Sequence, residues 1–239
     1  MLNKKYLLNL ITIPLFTLAL SSSALAKNVS NIADKTADYA LKTYKKDMIA
    51  SLAKLVKYNT VAVEGVSAND NPEHIAFKAE LKKQADALGL DFQDHGYIVI
   101  IGLGDSKERV GIITHGDIQP ANPSKWAKSP FELDMTSEPG RLIARGTEDD
   151  KGPISTALYA MKAIKDQKVK LNKRLELYVY MAEESDWGPL QAYVKENELP
   201  QTNITIDAEY PVVTAEKGYG TLKIAFNKQN VTSIEPYIS

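Results

Sequence analysis

The sequence predicts an α/β fold in which a mostly parallel β-sheet is flanked by helices. Two observations lead to this prediction. Apolar runs rich in β-branched and aromatic residues, such as Val110–Thr114 and Leu175–Met181, alternate with segments of helical spacing. These runs are continuous and do not alternate with polar residues, which is typical of parallel strands that are buried on both faces.

The composition is that of an ordinary globular protein. The chain has 239 residues, of which 44% are hydrophobic and 25% charged, and its formal net charge is −1. This near-neutral balance gives no indication of a nucleic-acid partner. Cysteine is absent, which excludes disulfides, thiolate catalysis and thiolate metal sites. Any zinc ion must therefore be held by histidine, aspartate and glutamate.

Residues 1–26 have the pattern of a secretory signal peptide. Lys4 and Lys5 precede an apolar stretch over 7–20, and the small-residue sequence at 24–26 (Ala-Leu-Ala) is typical of a cleavage site. The apolar stretch is shorter than the roughly 20 residues that a transmembrane helix needs. We therefore expect cleavage after Ala26 and a secreted or periplasmic protein that does not associate with the membrane afterwards.

The first predicted elements of the mature chain are two helices. Apolar residues recur at helical spacing over 30–57. Asn71 followed by Pro72 has the pattern of a helix N-terminus, and Gly89 the pattern of a C-terminus, which predicts a second helix over 72–88.

Strands and helices then alternate. Residues 97–103 and 110–114 are expected to pair as adjacent strands, and a long loop over 116–139 is expected to be functional. The remaining predicted elements are a strand at 142–144, a helix that starts near Pro153 and continues over 154–165, a strand at 174–181, a helix at 189–197 and a strand at 203–206.

Four acidic clusters, one of which contains a histidine, follow these strands. They are His115 with Asp117, Asp149 with Asp150, Glu183 with Glu184, and Asp207 with Glu209. In open α/β sheets ligands bind beyond the carboxyl ends of the strands, so the four clusters could converge on one crevice. So many carboxylates would repel one another, and bound cations commonly relieve such repulsion. The sequence therefore predicts a metal site.

Each cluster taken alone also has a structural interpretation. An isolated His-x-Asp is most often a surface or core feature, and paired aspartates at Asp149 are favoured at a helix N-terminus. Glu183 and Glu184 could simply begin a helix, and Asp207 could stabilise a turn. The occurrence of all four clusters at strand ends favours the metal site over these alternatives.

The motifs resemble the co-catalytic zinc peptidase family that includes aminoacylases, carboxypeptidase G, carnosinases and PepV-type bacterial dipeptidases. The similarity runs from about residue 47 to 225. It rests on THGDIQP, SPFEL, RGTEDDKGP, EESDWG and DAEYPVVTAEKG, which occur in the family's order. The combination of EESDW, DAEYP and EKG is most similar to the PepV-type dipeptidases.

This resemblance implies a ligand set for two zinc ions. His115 and Asp207 would bind one ion and Glu184 the other, and Asp149 would bridge both. It also implies an inserted α+β lid domain, a homodimer in the full-length form, and a substrate that is a short peptide or an N-acyl amino acid.

The resemblance also assigns two catalytic roles. Asp117 would orient His115, and Glu183 would act as the general base. Two metal ions at such a site activate a shared water, and a nearby carboxylate accepts its proton and passes it to the leaving amine.

Parts of the family pattern are missing from this sequence. The family needs a further histidine late in its catalytic domain, whereas His74 and His95, expected at the surface, do not follow the corresponding motifs. We expect residues 27–217 to be the amino-terminal part of a catalytic domain and 218–239 to be the start of a truncated lid domain. One zinc site would then be well formed, and the chain alone would have little activity.

Several functions remain open on the sequence alone. The leading hypothesis is an exported zinc dipeptidase. The alternatives are an N-acyl amino acid deacylase that uses the same site, a non-catalytic metal-binding remnant, and a phosphoesterase. The phosphoesterase hypothesis is the weakest, because the additional histidines and asparagine common at such sites are missing.

Overall fold

The computed structural model describes residues 14–208 together with 213–215, 217, 218, 220, 222 and 224. The chain divides after Asp207 into two compact units. The described residues of the second unit adopt no regular secondary structure, and most of the predicted lid segment 218–239 lies outside the described residues.

The first unit contains four α-helices and five β-strands among the described residues. The helices are α1 (Pro14–Leu55), α2 (Pro72–Leu88), α3 (Lys151–Asp166) and α4 (Gly188–Glu196). The strands are β1 (Asp91–Asp94), β2 (Ile98–Leu103), β3 (Arg109–His115), β4 (Arg174–Tyr180) and β5 (Thr202–Thr205). Strand β1 was not predicted, because its sequence, DFQD, is polar and lacks an apolar pattern.

The strands form one sheet in the order β1-β2-β4-β3-β5. Strand β3 is parallel to β4 and to β5, whereas β2 is antiparallel to β1 and to β4. Four strands therefore run in one direction and β2 runs in the other, which confirms the predicted mostly parallel α/β fold. The carboxyl ends of β3, β4 and β5 lie at the same edge of the sheet.

One predicted pairing is wrong. Strands β2 and β3 were expected to be neighbours, but β4 lies between them and pairs with both. The physical reason is the composition of β4, in which five consecutive residues are buried. A strand this apolar is most stable at the centre of the sheet, where both of its edges are hydrogen-bonded and both of its faces are covered.

The sheet packs against helices on both faces. Alternate residues of β2 and β4 point to opposite sides, as the pleat requires. Val99, Ile101, Leu177 and Val179 face the main core with helices α1, α2 and α3. On the other face, Tyr178 and Tyr180 pack with partly buried residues of α4.

Helix α2 has the predicted caps. The Asn71 side chain accepts a hydrogen bond from the backbone N–H of Glu73 at 3.0 Å, and Pro72 occupies the first helical position. The helix ends at Gly89, whose φ of 65° is the left-handed conformation that glycine adopts without steric cost.

The connection between β3 and α3 contains little regular structure. The predicted strand at 142–144 is reduced to a single bridge between Ile143 and Asp134. A short 3₁₀ helix, Pro123–Lys125, lies in the long loop.

Strand β5 is the edge of the sheet next to β3, and all four of its residues are exposed. Within the described part of the chain it pairs with β3 alone.

The predicted signal peptide lies partly outside the described residues, and its residues 14–26 are the beginning of α1. None of the helices in the described part of the chain combines the length and the apolar character that crossing a membrane requires. Cleavage after Ala26 stays a prediction.

Replacing Asn71 with alanine should destabilise the protein by about 1 kcal/mol, because the first turn of α2 loses its side-chain cap. Urea denaturation followed by circular dichroism measures the loss. Asn71→Ser is the matched control, since serine also lacks the amide group that donates to the backbone oxygen of Val61 but keeps a capping acceptor, and should lose less. An Asn71→Ala midpoint equal to that of the parent protein would contradict the assigned cap.

Candidate metal centre

His115 is the last residue of β3, and its imidazole is held from one side. The side chain is 1% exposed. Its Nδ1 lies 3.0 Å from the backbone oxygen of Asp117 and 3.4 Å from the Asp117 carboxylate. Because a carbonyl oxygen can only accept, Nδ1 carries the hydrogen and donates it to Asp117. The second nitrogen, Nε2, is therefore the one that can bind a metal ion.

Two carboxylates face this Nε2. Asp149 Oδ1 lies 2.8 Å away and Asp207 Oδ2 lies 3.5 Å away. Potential ligand atoms of His115, Asp149 and Asp207 all lie within 4.8 Å of one another. The structure thus brings together three of the four metal ligands that the sequence predicts, from the end of β3, the loop before α3 and the segment after β5.

The two carboxylates of this triad carry negative charge that a cation would balance. Burial by itself lowers the pKa of His115, but the hydrogen bond and the charge of Asp117, with the charges of Asp207 and Asp150, raise the pKa to about 10. A proton on Nε2 therefore offsets part of the negative charge of Asp149 and Asp207. A divalent ion could replace that proton, and one imidazole with two carboxylates is a donor set that suits zinc. The residues present fit a metal ion.

Asp117 connects β3 to the turn that follows β4. Its carboxylate is completely buried, and its two oxygens accept hydrogen bonds from the backbone N–H groups of Glu183 at 3.0 Å and Glu184 at 3.1 Å. The same residue holds His115 Nδ1. Asp117 thus fixes the position of the histidine and of both glutamates, in line with the orienting role predicted for it.

The two glutamates lie beside the triad but are not part of its 4.8 Å cluster. Burial is the main cause that raises the pKa of Glu183, and the charges of Asp207 and Glu184 add to it. Burial likewise raises the pKa of Glu184, with a further contribution from Asp149. The metal-ligand role of Glu184 and the general-base role of Glu183 stay predictions.

Glu184 has one oxygen held and one oxygen without a partner. Gln119 Nε2 donates to Glu184 Oε2 at 2.8 Å, whereas Oε1 is buried and accepts no hydrogen bond. An unpaired buried carboxylate oxygen is an available ligand atom. Gln119 belongs to the THGDIQP motif, but no role was predicted for it, because a neutral glutamine in a loop is not a typical metal ligand.

Asp150 is adjacent to the triad of His115, Asp149 and Asp207 but is not part of it. Asp149 is half exposed, whereas Asp150 is fully buried, bonded to the Thr114 hydroxyl and 3.4 Å from the backbone nitrogen of His115. Burial raises the pKa of Asp150 to about 7, although its bond to Thr114 and the charge of His115 oppose the shift. Of the paired aspartates, Asp149 therefore contacts His115 Nε2, whereas Asp150 contacts the Thr114 hydroxyl.

Lys151, which directly follows the paired aspartates, does not lie at the surface. Its side chain is fully buried, donates to the backbone oxygen of Tyr58 at 2.7 Å, and lies 5.2 Å from the centre of the Phe77 ring. Burial lowers its pKa to about 7, despite the opposing charges of Glu73 and Asp117. Lys151 instead anchors the start of α3 to the segment after α1.

Gly116 is a further position that sequence reasoning missed. A Cβ atom at this position would lie 2.6 Å from the Phe77 ring and 2.8 Å from Met181 Sδ. The backbone oxygen of Gly116 accepts a hydrogen bond from the Thr60 hydroxyl at 2.6 Å. A glycine is therefore required between His115 and Asp117 for β3 to pass this close to the core.

Neither of the other histidines reaches the triad. His95 is exposed, as expected. His74 was also expected at the surface, but this expectation is wrong, because it is 3% exposed in the first turn of α2.

The raised pKa of Asp150 makes stability depend on pH. Folding favours its protonated form, so its contribution is complete below the unfolded pKa of 3.8 and is lost as the pH rises through about 7. We expect the metal-free parent to lose up to about 4 kcal/mol over this range through Asp150. Asp150→Asn should remove most of this loss.

Urea denaturation in chelator at several pH values between 4 and 6.5 tests this expectation. The window lies below the range in which His115 and Lys151 exchange protons with the unfolded state. Parallel stability curves for the parent and Asp150→Asn would show that Asp150 is ionised throughout.

Comparisons with known proteins identify relatives of this chain. YtjP of Bacillus subtilis (strain 168), which is named as a candidate dipeptidase, is 31% identical over 182 residues, covering 73% of this chain and 38% of the relative. A similarly named protein of Staphylococcus aureus (strain USA300) is 32% identical over 197 residues, covering 81% and 41%. The chain spans about two fifths of the length of these curated relatives.

Solved structures share the fold. Human carnosine dipeptidase 1 superposes with a TM-score of 0.62 at 20% identity, over 75% of this chain and 42% of that one. The metallo-carboxypeptidase Sso-CP2 of Sulfolobus solfataricus superposes with a TM-score of 0.55 at 26% identity, over 67% and 37%. The sequence model of peptidase family M20/M25/M40 matches residues 111–231 of this chain. This chain therefore belongs to peptidase family M20/M25/M40, a family of metal-dependent peptidases.

Proposed function

We propose that this protein is an exported, zinc-dependent dipeptidase that hydrolyses short peptides. The observation that carries the proposal is the convergence of His115, Asp149 and Asp207 on one point, with His115 Nδ1 already held by Asp117. Names of the relatives support the dipeptidase assignment. Export rests on the signal-peptide pattern of residues 1–26.

His115, Asp149 and Asp207 would hold the first zinc ion. When bound, zinc supplies Lewis-acid polarisation of the scissile carbonyl and lowers the pKa of a nearby water. Three protein ligands leave a coordination position open, which is the arrangement of catalytic zinc sites. Asp149 and Glu184 are the described residues available to a second ion, Glu184 through its unpaired Oε1.

Glu183 would accept the proton of the attacking water and deliver it to the leaving amine. Two main-chain contacts fix this residue. Its N–H donates to Asp117, and its carbonyl oxygen accepts from the Trp187 indole at 3.0 Å. Its pKa is raised by burial and by neighbouring carboxylates, which brings the carboxyl nearer to the working pH of a general base.

We propose that this chain turns over substrate slowly by itself. The sequence has three histidines, and of these His115 alone joins the triad, since His74 is bonded to Thr60 and His95 lies at the surface. A second ion held by Asp149 and Glu184 alone would bind weakly, because it would have only two protein ligands.

Zinc binding should require the triad and should strengthen with pH. Because the ion replaces a proton on His115 Nε2, the zinc Kd should fall about tenfold per pH unit between pH 6 and 8. His115→Gln and Asp149→Asn should each raise the Kd at least about 100-fold, and Asp117→Asn about 10- to 100-fold.

Competition against a fluorescent zinc chelator measures these constants. His95→Gln is the matched control, because it removes an exposed histidine outside the triad and should leave the Kd unchanged. Equal zinc affinity in the parent and in His115→Gln would eliminate this metal centre.

Hydrolysis of a dipeptide such as Ala-Gly should be slow, zinc-dependent and chelator-sensitive. Glu183→Gln should lower the rate at least about 100-fold, because it removes the proton acceptor. The same variant should still bind zinc, which separates loss of chemistry from loss of the metal.

Amine release at high protein concentration, with and without chelator, is the measurement. N-acetyl-methionine in a parallel assay detects deacylase activity. Full turnover in Glu183→Gln would remove this residue from the mechanism. Tight zinc binding without turnover of either substrate would instead indicate a non-catalytic metal-binding protein.

A further inference from the structure

Gln119 lies in the loop after β3 and contacts a residue in the turn after β4. Its Nε2 lies 2.8 Å from Glu184 Oε2 and 3.4 Å from the Glu184 backbone oxygen. An ionised carboxylate and a carbonyl oxygen can only accept hydrogen bonds, so the N–H₂ end of the Gln119 amide faces Glu184. The peptidase chemistry proposed above gives Gln119 no role.

Glu184 is held at its backbone as well as at its side chain. Its N–H donates to Asp117 Oδ2 at 3.1 Å, and Asp117 precedes Gln119 by two residues. One short loop segment therefore holds Glu184 at two points, since Asp117 fixes its main chain and Gln119 fixes its carboxylate. A side chain that is already ordered loses less conformational entropy when it binds a ligand.

The hydrogen bond from Gln119 makes the two carboxylate oxygens of Glu184 unequal. Oε2 has a donor, whereas Oε1 is buried and accepts no hydrogen bond from the described residues. The charges of Asp149 and His115 act on Glu184, which places its carboxylate beside the triad. A cation would relieve the cost of leaving a buried acceptor unpaired at this position.

The contact between Gln119 and Glu184 is not needed to hold the fold together. Gln119 is exposed, and a polar contact of an exposed side chain contributes little to the free energy of unfolding. Among the described residues, however, Gln119 provides the only hydrogen bond to the Glu184 side chain. The contact therefore acts mainly on the orientation of this one carboxylate.

We propose that Gln119 is a positioning residue, which holds the Glu184 carboxylate in the orientation that leaves Oε1 for a second metal ion. The proposal rests on the proposed function, because it takes Glu184 to be a ligand of that ion. The first ion, held by His115, Asp149 and Asp207, would not depend on Gln119.

Equilibrium dialysis of the full chain against Co²⁺ tests the proposal, because Co²⁺ binds imidazole and carboxylate ligands as zinc does. The triad should fill first, and the second ion should bind more weakly. Gln119→Met keeps the length of the side chain and removes the donating amide. We expect it to raise the Kd of the second ion about tenfold and to leave the Kd of the first ion unchanged.

Gln191→Met is the matched control. It makes the same substitution at an exposed glutamine of α4, outside the metal centre, and should leave both Kd values unchanged. A general disturbance of the loop after β3 would weaken both ions in Gln119→Met, whereas loss of positioning weakens the second ion alone.

NMR of the chelator-treated chain tests the contact without any metal. One side-chain amide proton of Gln119 should lie downfield of those of Gln191, because it is hydrogen-bonded to a carboxylate. Glu184→Ala should remove this difference. A Gln119 amide resonance that is identical in the parent and in Glu184→Ala would overturn the proposal.

The two ions separate this proposal from the proposed function. An unchanged second Kd in Gln119→Met would overturn the proposal, and so would a parent chain that binds a single ion at saturating Co²⁺. In both cases the first Kd would still support the triad as a metal site. A parent chain that binds neither ion would overturn the proposed function and this proposal together.

Discussion

The carboxylate of Asp117 is the interaction on which the arrangement of the metal centre depends. It is fully buried, yet each of its oxygens accepts a backbone hydrogen bond from the turn after β4, and it also approaches His115 Nδ1. A buried charge is tolerated when its oxygens are paired in this way. Because β3 and β4 are neighbours in the sheet, this single residue sets the distance between the histidine and the two glutamates.

Several ionisable groups are packed closely around this carboxylate, and burial favours the uncharged form of two of them. The pKa of Asp150 is raised to about 7 and that of Lys151 is lowered to about 7, in both cases mainly through burial. Both shifts favour the uncharged form, as expected where desolvation outweighs charge pairing. Asp117 has its carboxylate oxygens paired with backbone N–H groups, whereas Asp149 and Asp207 lie where a metal ion could balance their charge.

The sequence predicted the parts of this structure that depend on local patterns. The α/β class, the caps of α2 and the meeting of His115, Asp149 and Asp207 all follow from apolar runs and from residues at strand ends. The position of β4 between β2 and β3 could not be predicted in this way, because strand order depends on long-range burial. The burial of His74 was missed for the same reason: a lone histidine early in a helix has no pattern that indicates which way it faces.

The residues of the metal centre follow strands that differ in how completely they are hydrogen-bonded. Asp207, two residues beyond β5, follows a strand of four exposed residues that pairs with β3 alone in the described part of the chain, whereas His115 ends a strand bonded on both sides. Fraying of an edge strand costs little free energy compared with opening the core. A metal ion held by Asp207 would therefore stabilise β5 against fraying, because it would bind the conformation in which this strand is paired with β3.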